Sequence, residues 1–297
     1  DQEDFVGLEA CDDHAVNMLF THGASGELTG MVVNLACPSQ CDEQKSEFSA
    51  DFWHNVRESI RQQYGPGVQL LPQCSFAGDA SPHLMLDQRE EKDLRDRAQV
   101  DDKGIIARRI MVAIEEARDL ASPPEQEVEF VHVVRTLELP RIMVTEEEYE
   151  MEKRIPGLSE DELKQQPWGF ERIWPFGPVC NIIERYEQQG ENPTHQTECH
   201  IIRLGDAVIA TNPFEIFMDY GARIRGRSKA LQTFLVQLGD GSGDGFYLPT
   251  QRALDGGHYS ALIKSNWVGP EGGHMLVEET LASIGELFEG EDYPKTR

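Results

Sequence analysis

The sequence has no hydrophobic run close to the roughly 20 residues that a helix needs to span a bilayer. Positive charge is scarce, because 27 lysine and arginine residues face 53 aspartate and glutamate residues, a formal net charge of −26. Such a surface repels phosphate backbones and disfavours anionic bilayers, so we expect no nucleic-acid partner and no stable membrane span. No Cys-x-x-Cys pair occurs, which excludes zinc-ribbon and thioredoxin-type motifs.

A visible signal peptide is also missing, and the sequence begins at Asp1 rather than at a methionine. We therefore expect further sequence upstream of Asp1, and the residues predict no compartment. A chain of this length does not need disulfides for its stability, although six cysteines do not exclude them.

Strand and helix patterns alternate along the whole chain. Residues 15–38 predict two strands joined by a Gly/Ser turn, and residues 68–78 predict another strand. A helix is predicted between Ser49, as its N-cap, and Gly65, and the clearest apolar helical face covers residues 102–120. Without a repeat or a strong linker, this alternation predicts one α/β domain with mixed β-sheet layers flanked by helices.

A compact turn, GDASP at residues 78–82, follows the strand predicted at 68–78. Glycine, aspartate, serine and proline all favour turns, so a plain loop explains the pattern. The other interpretation makes Ser81 a catalytic or substrate-holding residue, which requires a neighbouring base or metal. The pattern is not the Gly-x-Ser-x-Gly elbow of α/β-hydrolases.

Glu215 lies in ATNPFEIF, where Pro213 predicts the start of a helix after a buried strand. In the first turn of a helix, the helix dipole stabilises a carboxylate, and this alone explains the residue. Alternatively, Glu215 is a metal ligand at the end of a strand, where α/β sites usually lie.

Three further residues allow both a structural and a functional interpretation. Tyr247 and Tyr259 lie in a glycine-rich region, where tyrosine serves in packing, as a proton donor or as a rare metal ligand. Cys37 ends a buried strand, where cysteine is more often a small core residue than a ligand.

Two other patterns imitate metal sites. DGSGDG at 240–245 begins like a calcium loop, but Gln251 stands where the bidentate glutamate belongs. In HQTECH, which holds His195, Cys199 and His200, the last two residues point to opposite faces of a strand and do not readily ligate one ion.

The order and spacing of these motifs resemble the neutral (non-lysosomal) ceramidase family. The match is best over residues 14–90 and 200–285, and residues 90–195 match only by position. The motifs that carry it are GDASP at 78–82, NPFE at 212–215, Tyr247, Tyr259, and GPEGG at 269–273 before the last predicted helix.

The resemblance implies a zinc-dependent amidohydrolase that cleaves ceramide to sphingosine and a fatty acid. Its zinc ligands are two histidines, a glutamate and a tyrosine, and the last two fall on Glu215 and Tyr247. The second active-site tyrosine falls on Tyr259, and the serine near the metal and substrate head group falls on Ser81. The partner implied is a lipid or another N-acyl small molecule, and family membership suggests a secreted or periplasmic enzyme.

The neighbouring Asp79, His83 and His258 are candidates for substrate binding or proton transfer. In the implied reaction, Tyr259 stabilises the oxyanion and a nearby carboxylate or histidine passes a proton to the leaving amine. Asp79 and His258 are the residues that we assign to substrate binding.

The sequence departs from the family pattern at the zinc histidines. The motif that contains the first zinc histidine is not present in this sequence. The second zinc histidine aligns with Cys37. Either the Cys37 thiolate replaces that histidine as a zinc ligand, or Cys37 binds nothing and the site is altered. Residues 1–297 therefore read as the C-terminal portion of a ceramidase-like catalytic domain, without room for the immunoglobulin-like domain that many members carry.

Two other functions stay open. One is a related metal-dependent hydrolase of another amide or ester, and the other is a non-catalytic binding protein that keeps the fold.

Overall fold

The computed structural model describes residues 7–8, 10, 12–159, 161–162, 165, 181–239, 245–257 and 259–290. The strands in this part of the chain are β1 Val16–His22, β2 Leu28–Leu35, β3 Gln69–Cys74, β4 Phe130–Pro140, β5 Thr194–Leu204, β6 Ala207–Thr211, β7 Glu215–Ile216, β8 Gln232–Val236 and β9 Tyr247–Leu248. The α-helices are α1 Phe52–Tyr64, α2 Gln88–Ala98, α3 Asp102–Leu120, α4 Glu146–Arg154, α5 Ile182–Gln188, α6 Met218–Arg227, α7 Gln251–Gly256 and α8 Pro270–Leu287. None of these helices is both long and apolar enough to cross a membrane.

The strands form two larger sheets and one short pair. The first sheet has the order β1-β2-β3, with β1 antiparallel and β3 parallel to β2. The second has the order β4-β5-β6-β8, with two antiparallel pairs and one parallel pair. Strands β7 and β9 pair in parallel on their own. The predicted α/β class with mixed sheets is confirmed.

Helices α1 and α3 cover the first sheet and form its core. Phe52, Val56 and Ile60 recur along one face of α1 and are fully buried. Ile114 of α3 and Val33 of β2 are equally inaccessible and belong to the same apolar cluster. The helical spacing of apolar residues in the sequence therefore marks the face that packs.

Helices α6 and α8 pack together against the second sheet. Tyr220 of α6 and Val277 of α8 are buried in one cluster with Ile201 and Val208 of the sheet. Gly273 permits this approach, since a Cβ atom there would lie 2.5 Å from the Tyr220 ring.

Strand β8 connects the two sheets through hydrogen bonds near its end. The buried Asn34 amide of β2 donates to the Leu235 carbonyl at 2.7 Å. Beyond the strand, the Gln237 backbone N–H donates to the Cys74 carbonyl at 3.2 Å, and its side chain accepts from the Ala77 N–H at 2.9 Å. These contacts fix the segment that leads from β3 into the GDASP turn.

The helix predicted to open at Pro213 begins instead at Met218, and Glu215 lies in β7. The Asn212 side chain accepts from the Phe214 N–H at 3.0 Å, which makes a turn, and the Glu215 N–H donates to the Phe246 carbonyl at 2.7 Å. Pairing with a distant segment thus overrides the local preference for a helix start. The dipole explanation for Glu215 is therefore wrong.

The N-cap of α1 is Asp51 rather than Ser49. One Asp51 carboxylate oxygen accepts from the Phe52 N–H at 2.8 Å, and the other accepts from the Asp42 N–H at 2.9 Å. Ser49 supports this cap, because its hydroxyl accepts from the Asp51 N–H at 3.0 Å. The buried Asp51 carboxylate accepts hydrogen bonds from the Phe52 and Asp42 N–H groups, whereas the Ser49 hydroxyl accepts from the Asp51 N–H.

Asp51→Ala is expected to lower the free energy of unfolding by about 1–2 kcal/mol, because it removes the cap acceptor. Asp87→Ala is the control, since Asp87 is the N-cap of α2 but its side chain makes no cap hydrogen bond. Urea unfolding monitored by circular dichroism measures both. Equal losses in the two variants would contradict this role of Asp51.

Candidate functional site

The short sheet β7-β9 holds Glu215 and Tyr247 side by side. Glu215 pairs in register with Tyr247, and Ile216 pairs with Leu248. Because successive side chains alternate between the faces of a strand, the first pair shares one face and the second pair shares the other. Ile216 and Leu248 are buried in the core, whereas Glu215 and Tyr247 are half-buried. The sheet thus presents a carboxylate and a phenol together.

Tyr259 completes this group from the segment after α7. Its hydroxyl lies 3.5 Å from the Tyr247 hydroxyl, and the rings meet edge to face with centroids 5.8 Å apart. The Tyr259 carbonyl accepts from the Ser265 hydroxyl at 2.6 Å, which fixes the 3₁₀ turn at Tyr259–Ala261. Two residues twelve positions apart in the sequence therefore meet at their hydroxyl groups.

Partial burial governs the protonation of these groups. Burial raises the pKa of the Glu215 carboxyl, and the hydrogen bond with the Tyr247 hydroxyl opposes this shift. Burial also raises the pKa of Tyr247, as do the hydrogen bond with Tyr259 and the neighbouring Glu215 charge. Tyr247 therefore keeps its proton at neutral pH and serves as a hydrogen-bond donor.

The GDASP turn packs directly against β7. The Gly78 N–H donates to the Ile216 carbonyl at 2.9 Å, and a Cβ atom on Gly78 would lie 2.2 Å from the Glu215 carbonyl oxygen. Asp79 accepts from the Met218 N–H at 2.7 Å, where α6 begins. Glycine and aspartate in this motif thus bind the turn to the Glu215 strand and the helix after it.

Ser81 lies on the exposed side of the same turn. Its hydroxyl accepts from the His83 N–H at 3.1 Å, and the His83 ring lies 2.9 Å from the Gln40 carbonyl oxygen. The structure therefore places Ser81 in the loop that contacts β7, but outside the hydrogen-bonded group of Glu215, Tyr247 and Tyr259.

Cys37 lies near two other thiols, Cys41 and Cys74. The Cys74 thiol donates to the Cys37 carbonyl at 3.6 Å. Burial raises the pKa of Cys37 to about 11, with a smaller effect from the Asp51 carboxylate. Burial also raises the pKa of Cys74 to about 12, and the charges of Cys37 and Glu215 add to this shift. All three are free thiols.

No sequence motif marks Cys74, whose thiol interacts electrostatically with both Cys37 and Glu215. The one signal in the sequence is that Cys74 lies at the end of the strand that precedes the GDASP turn. Its pairing with Leu35, two residues before Cys37, depends on the parallel register of β2 and β3.

The donor groups near Glu215 form an incomplete set for zinc. In the part of the chain that the structure describes, no three His, Cys, Asp or Glu side chains converge as a metal site. Glu215 and Tyr247 offer two adjacent oxygens, and the half-buried Cys37 thiol is protonated at neutral pH. These residues do not by themselves fit a zinc ion with three protein ligands.

The remaining candidates lie elsewhere or outside the described residues. His258 and the DGSGDG positions 240–244 belong to the latter group. On β5, Cys199 is buried while His200 is half-buried and lies 2.8 Å from the His132 ring nitrogen, so these two residues do point to opposite faces. His195 stacks on Trp267 with ring centroids 6.1 Å apart.

No protein-family model and no curated protein sequence matches this chain. Its fold is similar to two solved structures of ceramidases. A ceramidase complexed with C2 shows 14% identity and a TM-score of 0.61, and the neutral ceramidase from Pseudomonas aeruginosa shows 16% and 0.58. All of this chain is covered, but only 51% and 50% of those chains. The chain thus spans about half the length of the solved structures it matches, and the likeness is one of fold.

Gly78→Ala is expected to destabilise the protein by about 1–3 kcal/mol, because the added methyl group collides with the Glu215 backbone. Gly67→Ala is the control, since a Cβ atom there meets nothing within 4 Å. Thermal unfolding measures both. A Gly78→Ala protein as stable as Gly67→Ala would contradict the close contact between the turn and β7.

The raised thiol pKa values predict slow alkylation of Cys37 and Cys74 in the native protein. At about pH 8, iodoacetamide is expected to modify them roughly 100-fold more slowly than in urea-unfolded protein, because little thiolate is present. Peptide mass spectrometry over time gives the rate at each site. Equal rates in native and unfolded protein would contradict this description of the thiols.

Proposed function

We propose that this protein hydrolyses the amide bond of N-acylated lipid amines and that ceramide is the first substrate to test. The observation that carries the proposal is the contact between Glu215, Tyr247 and Tyr259, next to the GDASP turn. The likeness in fold to solved ceramidases supports the same reaction class.

The two phenols suit the carbonyl end of an amide. Tyr247 and Tyr259 present their hydroxyls 3.5 Å apart, and the raised pKa of Tyr247 keeps it protonated. The Tyr259 hydroxyl would stabilise the negative charge that develops on a carbonyl oxygen under attack, and one such donor typically contributes about 3–4 kcal/mol. Tyr247 donates its single proton to Glu215 and positions the Tyr259 hydroxyl beside it. Glu215 orients Tyr247 through their hydrogen bond.

The turn at 78–82 would hold the polar part of the substrate. Asp79 is bound to the start of α6 and fixes the turn, while the Ser81 hydroxyl faces outward and is accessible. We assign Ser81 to substrate positioning or nucleophilic attack, and Asp79 and His258 to substrate binding.

Zinc is the cofactor that the resemblance to neutral ceramidases implies. Glu215 and Tyr247 would be two of its ligands, with Cys37 as a third candidate. The described residues do not complete a zinc site, and the roles proposed for the phenols and for the turn do not depend on the metal.

Glu215→Gln is expected to lower fatty-acid release from a short-chain ceramide by about 100-fold or more, and to remove bound zinc. Fatty acid is measured by mass spectrometry and metal by elemental analysis of the same samples. Glu279→Gln, an exposed position on α8, is the control and should behave as wild type. Full zinc content in Glu215→Gln would contradict the ligand assignment, and undiminished release would contradict the catalytic one.

A panel of short amides and esters distinguishes the related hydrolases. If the protein hydrolyses these compounds but not ceramide, the proposed reaction class is supported and ceramide is excluded as the substrate. Absence of all hydrolysis by wild-type protein would contradict the proposal and favour a binding protein.

A further inference from the structure

A cavity of about 360 Å³ lies beside the segment that carries Tyr259. Gly257 and Ala261, on either side of Tyr259, both line it. Helix α4 and the residues that precede it form other parts of the wall. Its volume lies near the lower end of the range of about 300–1,000 Å³ that is typical of small-molecule sites.

The apolar walls of this cavity are aliphatic. Met143, Met151, Leu254, Leu262 and Ile263 contribute to them, and none of the described lining residues is aromatic. Such walls offer no ring for stacking against a flat ligand. Methionine side chains adapt to irregular flexible ligands, so the lining suits a linear alkyl chain.

The polar groups in the walls already have partners. Thr145 and Glu148 bond each other in the capping box of α4. The Lys264 ammonium lies 2.7 Å from the Glu152 carboxylate, and both side chains are mostly buried. A ligand here therefore needs no charge or hydrogen-bonding group of its own, which again favours a hydrocarbon chain.

A larger cavity of about 790 Å³, between the segment after the GDASP turn and helix α3, is unsuited to this role. Charged side chains dominate its walls, including the ion pair of Arg109 with Glu91 at 2.7 Å and the pair of Arg95 with Asp102. Desolvating these groups against hydrocarbon is unfavourable.

We infer that the cavity lined by Met143 and Met151 holds an alkyl chain of the lipid substrate and limits the chain length that the protein accepts. The inference rests on the proposed function for the identity of the substrate, but the binding of the chain itself can be measured without hydrolysis. Each methylene group that enters such a site raises affinity about fourfold, until the cavity is full.

The test is displacement of a fluorescent polyene fatty acid from the whole protein by octanoic, dodecanoic and hexadecanoic acid. Dodecylamine and hexadecylamine form a second series, which distinguishes an acyl-chain site from a site for the chain of the amine. Met151→Trp fills the cavity from α4. Met143→Trp fills the cavity from the exposed loop before α4, and it replaces Met151→Trp in the test if that variant is unstable. Met275→Trp, on the exposed surface of α8, is the matched control.

Wild-type protein and Met275→Trp are expected to bind the longer chains more tightly than the short one. The cavity-filling variants should lose at least about tenfold in affinity for the longer chains and little for octanoic acid. The inference would be overturned if both cavity-filling variants fold and still show the chain-length dependence of the wild-type protein. It would also be overturned if the wild-type protein does not bind the fluorescent probe. Chain binding that Met151→Trp abolishes, in a protein that hydrolyses no amide, would support the cavity and contradict only the proposed function.

Discussion

The pairing of β7 with β9 is the interaction on which the candidate site depends. Two residues from each strand suffice, because the Glu215 N–H bonds the Phe246 carbonyl while Ile216 and Leu248 anchor the opposite face in the core. Without this pairing, the carboxylate and the phenol would have no common face. Gly78 then fits against the Glu215 backbone, where any side chain would collide. Three segments far apart in the sequence thus converge through backbone contacts, and they carry the side chains of the candidate site.

Partial burial determines the protonation states of the groups in the candidate site. The same partial burial that keeps Tyr247 protonated also disfavours the charge on Glu215 and on the nearby thiols Cys37 and Cys74. A cluster of neutral donors around one partly buried carboxyl suits recognition of a polarised carbonyl better than recognition of an anion. In the proposed function, the apolar cavity beside Tyr259 extends this environment to the alkyl chain of the substrate.

Much of the fold could be predicted from local patterns. The apolar spacing of residues 102–120 marks α3 to the residue, and the two strands on either side of the Gly/Ser turn form β1 and β2. The interpretation of Pro213 failed, because partners more than thirty positions away decide the conformation of Glu215. For the same reason, single residues could not reveal the meeting of Cys74 with Cys37, which requires the register of two strands. The motifs indicated the tyrosines, but only folding brings their hydroxyls together.

We propose that Tyr247 and Tyr259 act as one unit on the substrate carbonyl. A double-mutant cycle with Tyr247→Phe, Tyr259→Phe and the double variant, measured as fatty-acid release from a short-chain ceramide, tests it most directly. Because the two hydroxyls contact each other, we expect the losses to be strongly non-additive, with the double variant little worse than the more damaged single variant. Losses that multiply independently, or single variants with wild-type rates, would contradict the claim.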